Sequence, residues 1–183
     1  MACLNGFNLR GLNLDCNPVL AGIRKVYLGY FDDFEATPDR ATQKITTLGG
    51  EGKLYPYQVT TNTGGLTSTL TRNDQNGTRY YTNTITMQFT RLEADKHLEV
   101  QAMAAEALIA IVETNDGKYW YVGADSYLSG TNSTAQTGSS FDDLNGYTIE
   151  LSCRSANLPF EIEKATFEAK IDESNVVGKD TSN

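Results

Sequence analysis

Two long stretches alternate apolar and polar residues, and they decide the fold class. In one, Ile85, Met87 and Phe89 alternate with Thr84, Thr86, Gln88 and Thr90. In the other, Tyr147, Ile149, Leu151 and Cys153 alternate with Thr148, Glu150, Ser152 and Arg154. A period of two sends successive side chains to opposite faces of an extended chain, so each stretch predicts a half-buried strand. A sheet that buries one face needs a second layer over it.

Other strand signals surround these two. Val26, Leu28 and Tyr30 alternate with Tyr27 and Gly29 until Asp32, Asp33 and Pro38 break the pattern. A strand over Thr42–Leu48 is predicted to end at Gly49-Gly50. Leu54–Thr60 and Leu66–Thr71 read as the arms of a hairpin turning at Gly64-Gly65, and 73–77 (NDQNG) is a further turn. Eleven threonines fall from Thr60 to Thr90. The branched Cβ of threonine suits a pleated strand and its hydroxyl keeps an exposed face wet. A hairpin with so few large apolar groups needs something to lean on.

Leu108–Val112 is a continuous apolar run, read as a central strand, and Asn115-Asp116-Gly117 turns it into a return strand over Lys118–Val122. The period changes once, over 94–107 (ADKHLEVQAMAAEA), where strong helix formers predict a helix with Asp95 as N-cap. Leu98, Ala102 and Ala105 lie on one side of it and are expected to meet a sheet. Pro159 interrupts the chain, and Ala165, Phe167, Ala169 and Ile171 alternate as an expected last strand. The expected architecture is mainly β: a β-sandwich or barrel of about eight strands with one flanking helix. An N-terminal arm over 1–22 precedes a sandwich domain over 23–173, with long loops near 49–80 and 123–145, and 174–183 forms a flexible tail.

A chain of 183 residues with 39% hydrophobic content can bury a core without disulfides or a metal. Cys3, Cys16 and Cys153 are odd in number and form no CxxC pair, so neither a disulfide framework nor a zinc site is predicted. The net charge of -8 argues against gripping DNA phosphates, while an acidic wall would let a duplex pass without sticking. The opening residues lack the basic and apolar regions of a signal peptide, and no apolar run reaches the roughly 18 residues of a membrane span.

Chemical motifs are sparse. His97 is the only histidine and nothing places a nucleophile beside it. Asp32-Asp33 and Asp142-Asp143 sit in turn-like sequence, where acids cap turns. The segments 73–77 and 114–118 are too short for an EF-hand loop, and Gly49-Gly50 and Gly64-Gly65 fit no phosphate-binding pattern. Tyr119, Trp120 and Tyr121 follow a turn and are expected to pack across the hairpin, although such a cluster also suits a carbohydrate-binding platform. No catalytic, cofactor-binding or metal-binding residue is predicted, and no cofactor.

Three segments carry a resemblance. They are CLNGFNLRGLNLDCNPVLAGIRKVYLGYFDDF (3–34), FTRLEADKHLEVQAMAAEALIAIVETNDGKYWYVGAD (89–125) and TAQTGSSFDDLNGYTIELSC (134–153). In this order they resemble tail-tube and related virion structural proteins of phages that infect Bacteroidetes, including crAss-like phages. The resemblance touches about half of the chain and leaves 51–80 unmatched. It implies a non-enzymatic virion protein, assembled in the host cytoplasm. Its subunits form rings, often hexameric, that stack into a β-lined tube through which DNA passes without specific binding. Other virion proteins are the implied partners, and no membrane insertion is expected. The alternatives are a single-ring or head-tail connector protein of the same fold, and a carbohydrate-binding β-sandwich module using Tyr119, Trp120 and Tyr121. A hydrolase using the acid pairs stands last.

Overall fold

A computed structural model describes residues 20–170. The expected arm before Leu20 and the expected tail 174–183 lie outside the described residues. Among the described residues, eleven strands form two sheets, neither closed into a barrel, and two α-helices accompany them, so the barrel alternative is set aside. The strands are β1 (Ile23–Tyr30), β2 (Glu35–Asp39), β3 (Lys44–Gly49), β4 (Tyr55–Gln58), β5 (Gly65–Asn73), β6 (Thr78–Thr90), β7 (Leu108–Thr114), β8 (Tyr119–Val122), β9 (Ser129–Gln136), β10 (Gly146–Ser155) and β11 (Phe160–Ile162). The helices are α1 (Ala94–Ala105) and α2 (Lys164–Lys170). The larger sheet runs β2-β3-β11-β8-β7-β1-β4 and the smaller β5-β6-β10-β9.

The two sheets face each other across one core. Val26, Leu28, Ala110, Val112 and Val122 of the larger sheet meet Ile85, Met87, Ile149 and Leu151 of the smaller, with Met103 of α1 at the margin. The larger sheet also buries its other face. There Tyr27, Ile109, Ile111 and Tyr121 pack with Phe34, Leu54 and Phe167 of α2. This explains the sequence of β7: with both faces covered, Leu108 to Val112 are all buried and no polar residue alternates. The smaller sheet buries one face only, which is why β6 and β10 alternate so cleanly.

The Asn115-Asp116-Gly117 turn forms as predicted. Gly117 has φ +81°, and its amide donates to the Thr114 carbonyl at 3.0 Å. The Asn115 amide and Nδ2 donate to the carbonyls of Gly22 and Ala21, fixing the entry to β1 against this turn.

Several expectations are corrected. Gly64-Gly65 is not a hairpin turn: β4 pairs with β1 in the larger sheet, whereas β5 pairs with β6 in the smaller, so the chain crosses between sheets there. The hairpin turn is the one expected at 73–77, and the expected strand pieces Leu54–Thr60 and Leu66–Thr71 form as β4 and β5, so that much of 49–80 is strand. The expected loop 123–145 holds β9. β2 forms despite Pro38 because it is an edge strand, with a register shift at Thr37/Pro38. The expected last strand is α2, whose buried residue is Phe167, and β11 was not foreseen. In α1 the N-cap is Glu93, not Asp95, and the helix seats Met103 and half-buried Val100. Leu98, Ala102 and Ala105 face outward. The expected close approach of small residues to a sheet is made by Ala104, beside Gly130 of β9, where a Cβ would stand 2.7 Å from the Ala104 Cα.

Candidate assembly surface

The smaller sheet ends in two strands whose outer sides pair with nothing among the described residues, β5 and β9. β5 has nine residues and β9 eight. β9, SGTNSTAQ, has no charge and no large apolar side chain, and most of it is exposed. β5 is nearly as plain, with Leu66 and Leu70 as its large apolar residues. Proteins that stay monomeric blunt such edges with charge, proline or a cover. Neither strand carries a proline or a lysine, and their one charge is Arg72, next to last in β5 and paired with Asp74 of the following turn. The outward face of the sheet is lined by threonine: Thr67, Thr69, Thr82, Thr84, Thr86 and Thr148 share it with Gln88 and Ser152. Glu150 and Arg154 supply one charge of each sign there, and Arg154 lies over the Tyr80 ring at 5.6 Å from its centroid.

The two mouths of the sandwich differ. On the β9 side α1 closes the gap, with Met103 buried in the core. On the β5 side an open groove of about 480 Å³ remains, lined chiefly by Ile23, Leu66, Trp120, Leu158 and Pro159. Polar bonds hold its rim in place. Asn157, beside Leu158, donates from Nδ2 to Asp125 Oδ2 at 2.8 Å, and its amide donates to Ser155 Oγ at 3.0 Å. The Ser155 hydroxyl donates to the same Asp125 oxygen at 2.9 Å. Buried Asn83 donates to the Asn157 carbonyl at 3.4 Å, and its Oδ1 has no partner among the described residues. Leu158 thus stands 44% exposed on a fixed backbone.

Among the described residues, the loop joining β9 to β10 holds the most exposed large hydrophobic side chain. Phe141 is fully exposed, at 109% of its reference area. Its loop is nevertheless ordered by its own chemistry. The Asp143 carboxylate accepts from the Ser139 and Ser140 amides, both at 2.8 Å, and these bonds hold its acid strength above the ordinary aspartate range. The Asp143 amide in turn donates to the Ser140 carbonyl at 3.2 Å.

The residues singled out as possible chemical groups sit on different elements. His97 is exposed on α1, edge-on to Tyr147 at 5.4 Å between centroids. Asp32 and Asp33 belong to a short 3₁₀ turn, and Asp142 and Asp143 to the β9–β10 loop. Strand alternation divides the aromatic trio: Tyr119 and Tyr121 are buried beneath α2, where Tyr119 packs on Phe167 at 4.2 Å, while Trp120 points to the groove. Three consecutive strand residues cannot share one sugar-stacking face.

Sequence reasoning missed a buried acid. Glu113 accepts from the Tyr27 hydroxyl at 3.3 Å and pairs with Arg24 at 3.5 Å. Burial first, and then the Glu113 charge, push the Tyr27 phenol up to about 12. The signal was available, since a Glu at the end of an apolar strand faces a neighbour across the sheet. The partners come from β1, Tyr27 lying 86 residues away, and could not be read. No group of His, Cys, Asp and Glu among the described residues is arranged to hold a metal ion, and no described helix is long and apolar enough to cross a membrane.

No family model, curated protein or solved structure matches the chain.

Proposed function

We propose that this chain is a non-enzymatic phage virion protein, the repeating subunit of a tail tube, whose smaller sheet is continued from copy to copy. The observation that carries the reading is the pair of open edges on that sheet. With four antiparallel strands, β5 and β9 run in opposite directions. Copies related by rotation about an axis along the strands therefore bring β9 of one beside β5 of the next in antiparallel sense. The contact is heterologous, and it closes into a ring when the rotation closes.

The register within the sheet permits such a contact. Gly65 stands level with Asn132 through Thr86 and Glu150. A stagger of four residues brings Gln136 opposite Gly65 and lets β5 and β9 overlap along their length. That is one residue per strand, the ratio of an eight-stranded barrel with a shear of eight and a tilt of about 36°. Four is even, so from Asn132 to Gln136, up to the bulge of β9, the pleat is preserved and the threonine face of each copy continues into the next. Leu66 then meets Ala135 and Ser68 meets Ser133 on the inner side, with no like charges opposed.

In such a ring the threonine face lines the channel. Its wall is neutral and rich in hydroxyls, where the charge of the whole chain had suggested an acidic one. Without clustered Lys or Arg it offers DNA no counterion-releasing grip, and a duplex passes without specific binding. Other virion proteins would meet the ends of the stack, in a particle assembled in the host cytoplasm without membrane insertion. Negative-stain microscopy of the concentrated protein tests this. Tubes support it, isolated rings select a connector role, and monomers alone overturn it.

A further inference from the structure

Resting on that reading, we infer that Phe141 is a knob that seats in the groove of the adjacent copy, between Leu66, Trp120 and Leu158. The loop that carries Phe141 directly follows β9. When β9 lies antiparallel beside a neighbour's β5, the end of β9 reaches the start of β5, where Leu66 and Ser68 line the groove. One chain thus holds both halves of the contact: a fully exposed phenylalanine at one sheet edge and an apolar hollow beneath the other. Such a pair on different patches makes a heterologous contact that repeats.

Both halves are set before they meet. Asp143 fixes the knob loop through the Ser139 and Ser140 amides, and Asp125 fixes the groove rim through Asn157 and Ser155. Preordered partners lose little freedom on docking. The same molecule has a second cleft, between β4 and α1, walled by Tyr30, Tyr55 and Tyr57. Glu99 and Glu106 line it too, and Asp142 beside Phe141 would be repelled there. The groove under β5 has no carboxylate in its lining.

The test uses the full chain with a benzophenone amino acid in place of Phe141, irradiated after assembly has been confirmed by sedimentation. The expected result is a covalent dimer on a denaturing gel. Its cross-linked peptide should hold Trp120, Leu158 or Leu66. Assembled particles that cross-link elsewhere, or not between copies, overturn the knob and leave the tube reading standing. A wild-type chain that never assembles overturns both. Phe141→Ala provides a second measure: the concentration needed for assembly should rise about tenfold or more, as for loss of a central aromatic anchor, while the melting temperature of the monomer stays unchanged. An unchanged assembly threshold also overturns the knob.

Discussion

Trp120 and Tyr121 are neighbours in the chain with opposite surroundings. Tyr121 is 1% exposed among Ile109, Phe160 and the other side chains beneath α2, whereas Trp120 is half-buried at the groove. Tyr121→Ala should cost about 3–5 kcal/mol in urea unfolding, the range for deleting a buried aromatic. Trp120→Ala should cost less, about 1–3 kcal/mol, because part of its surface is already in water. Equal losses would contradict the placement. Tyr27 gives a pH signature. Its folded pKa of about 12 lies above the ordinary 10.0, so its contribution is complete below pH 10 and is lost as pH rises through 12. Tyr57 and Tyr121 are raised in the same sense, by burial first. Stability should therefore hold to about pH 10 and fall above it, followed by phenolate absorbance during unfolding. A fall that begins near neutral pH would be at odds with these buried phenols. At this scale the turn at Gly117 and the inward side of β6 and β10 were legible, because local spacing determines them. The Tyr27–Glu113 pair was not, because its halves are remote in sequence.

Helix α1 shows how an element is read correctly and oriented wrongly. Its propensity is strong, but apolar residues lie all round it, so spacing alone cannot choose the buried side. The fold chooses Met103, which fits the gap beside β9. Met103→Ala should cost about 2–5 kcal/mol and Leu98→Ala no more than about 0.5 kcal/mol, measured by thermal unfolding. The reverse order would show that the helix sits on its other face. β9 and α2 were misread for complementary reasons. β9 is composed of turn-forming residues and becomes a strand through its ladder with β10. Alternation in 165–171 suggests a strand, yet helix formers and Phe167, which seats against Tyr27 and Tyr119, make Lys164–Lys170 a helix. Strand alternation also yields a prediction for β9. Of Ser133 and Thr134, one directs its amide at β10 and the other outward. Proline at the outward one should leave the monomer folded and stop assembly, while proline at the other should weaken the fold itself. Circular dichroism with sedimentation separates them, and two variants that both assemble would exclude β9 as an interface.

For the whole molecule, the sequence indicated a mainly β fold with a mid-chain helix, as a sandwich or a barrel, but not which strands share a sheet. Strand order depends on pairings such as β5 with β6 rather than with β4, and a Gly-Gly step between two threonine-rich runs does not distinguish them. Nor did it reveal that one mouth of the sandwich is closed by α1 and the other left open under β5. That asymmetry matters because an open edge strand, a groove beneath it and, after the opposite edge strand, a fully exposed phenylalanine then have defined places on one sheet.

Amide hydrogen exchange, compared between dilute and concentrated full-length protein, probes the free edges most directly. In dilute solution, amides of 65–73 and 129–136 that point away from β6 and β10 should exchange fast while β7 is protected, as expected for edge and core positions. In concentrated solution these same edge amides should slow together, with β7 unchanged. If both edges exchange at the same rate at every concentration while the protein is assembled, its sheets are not joined through β5 and β9, and the proposed tube is contradicted.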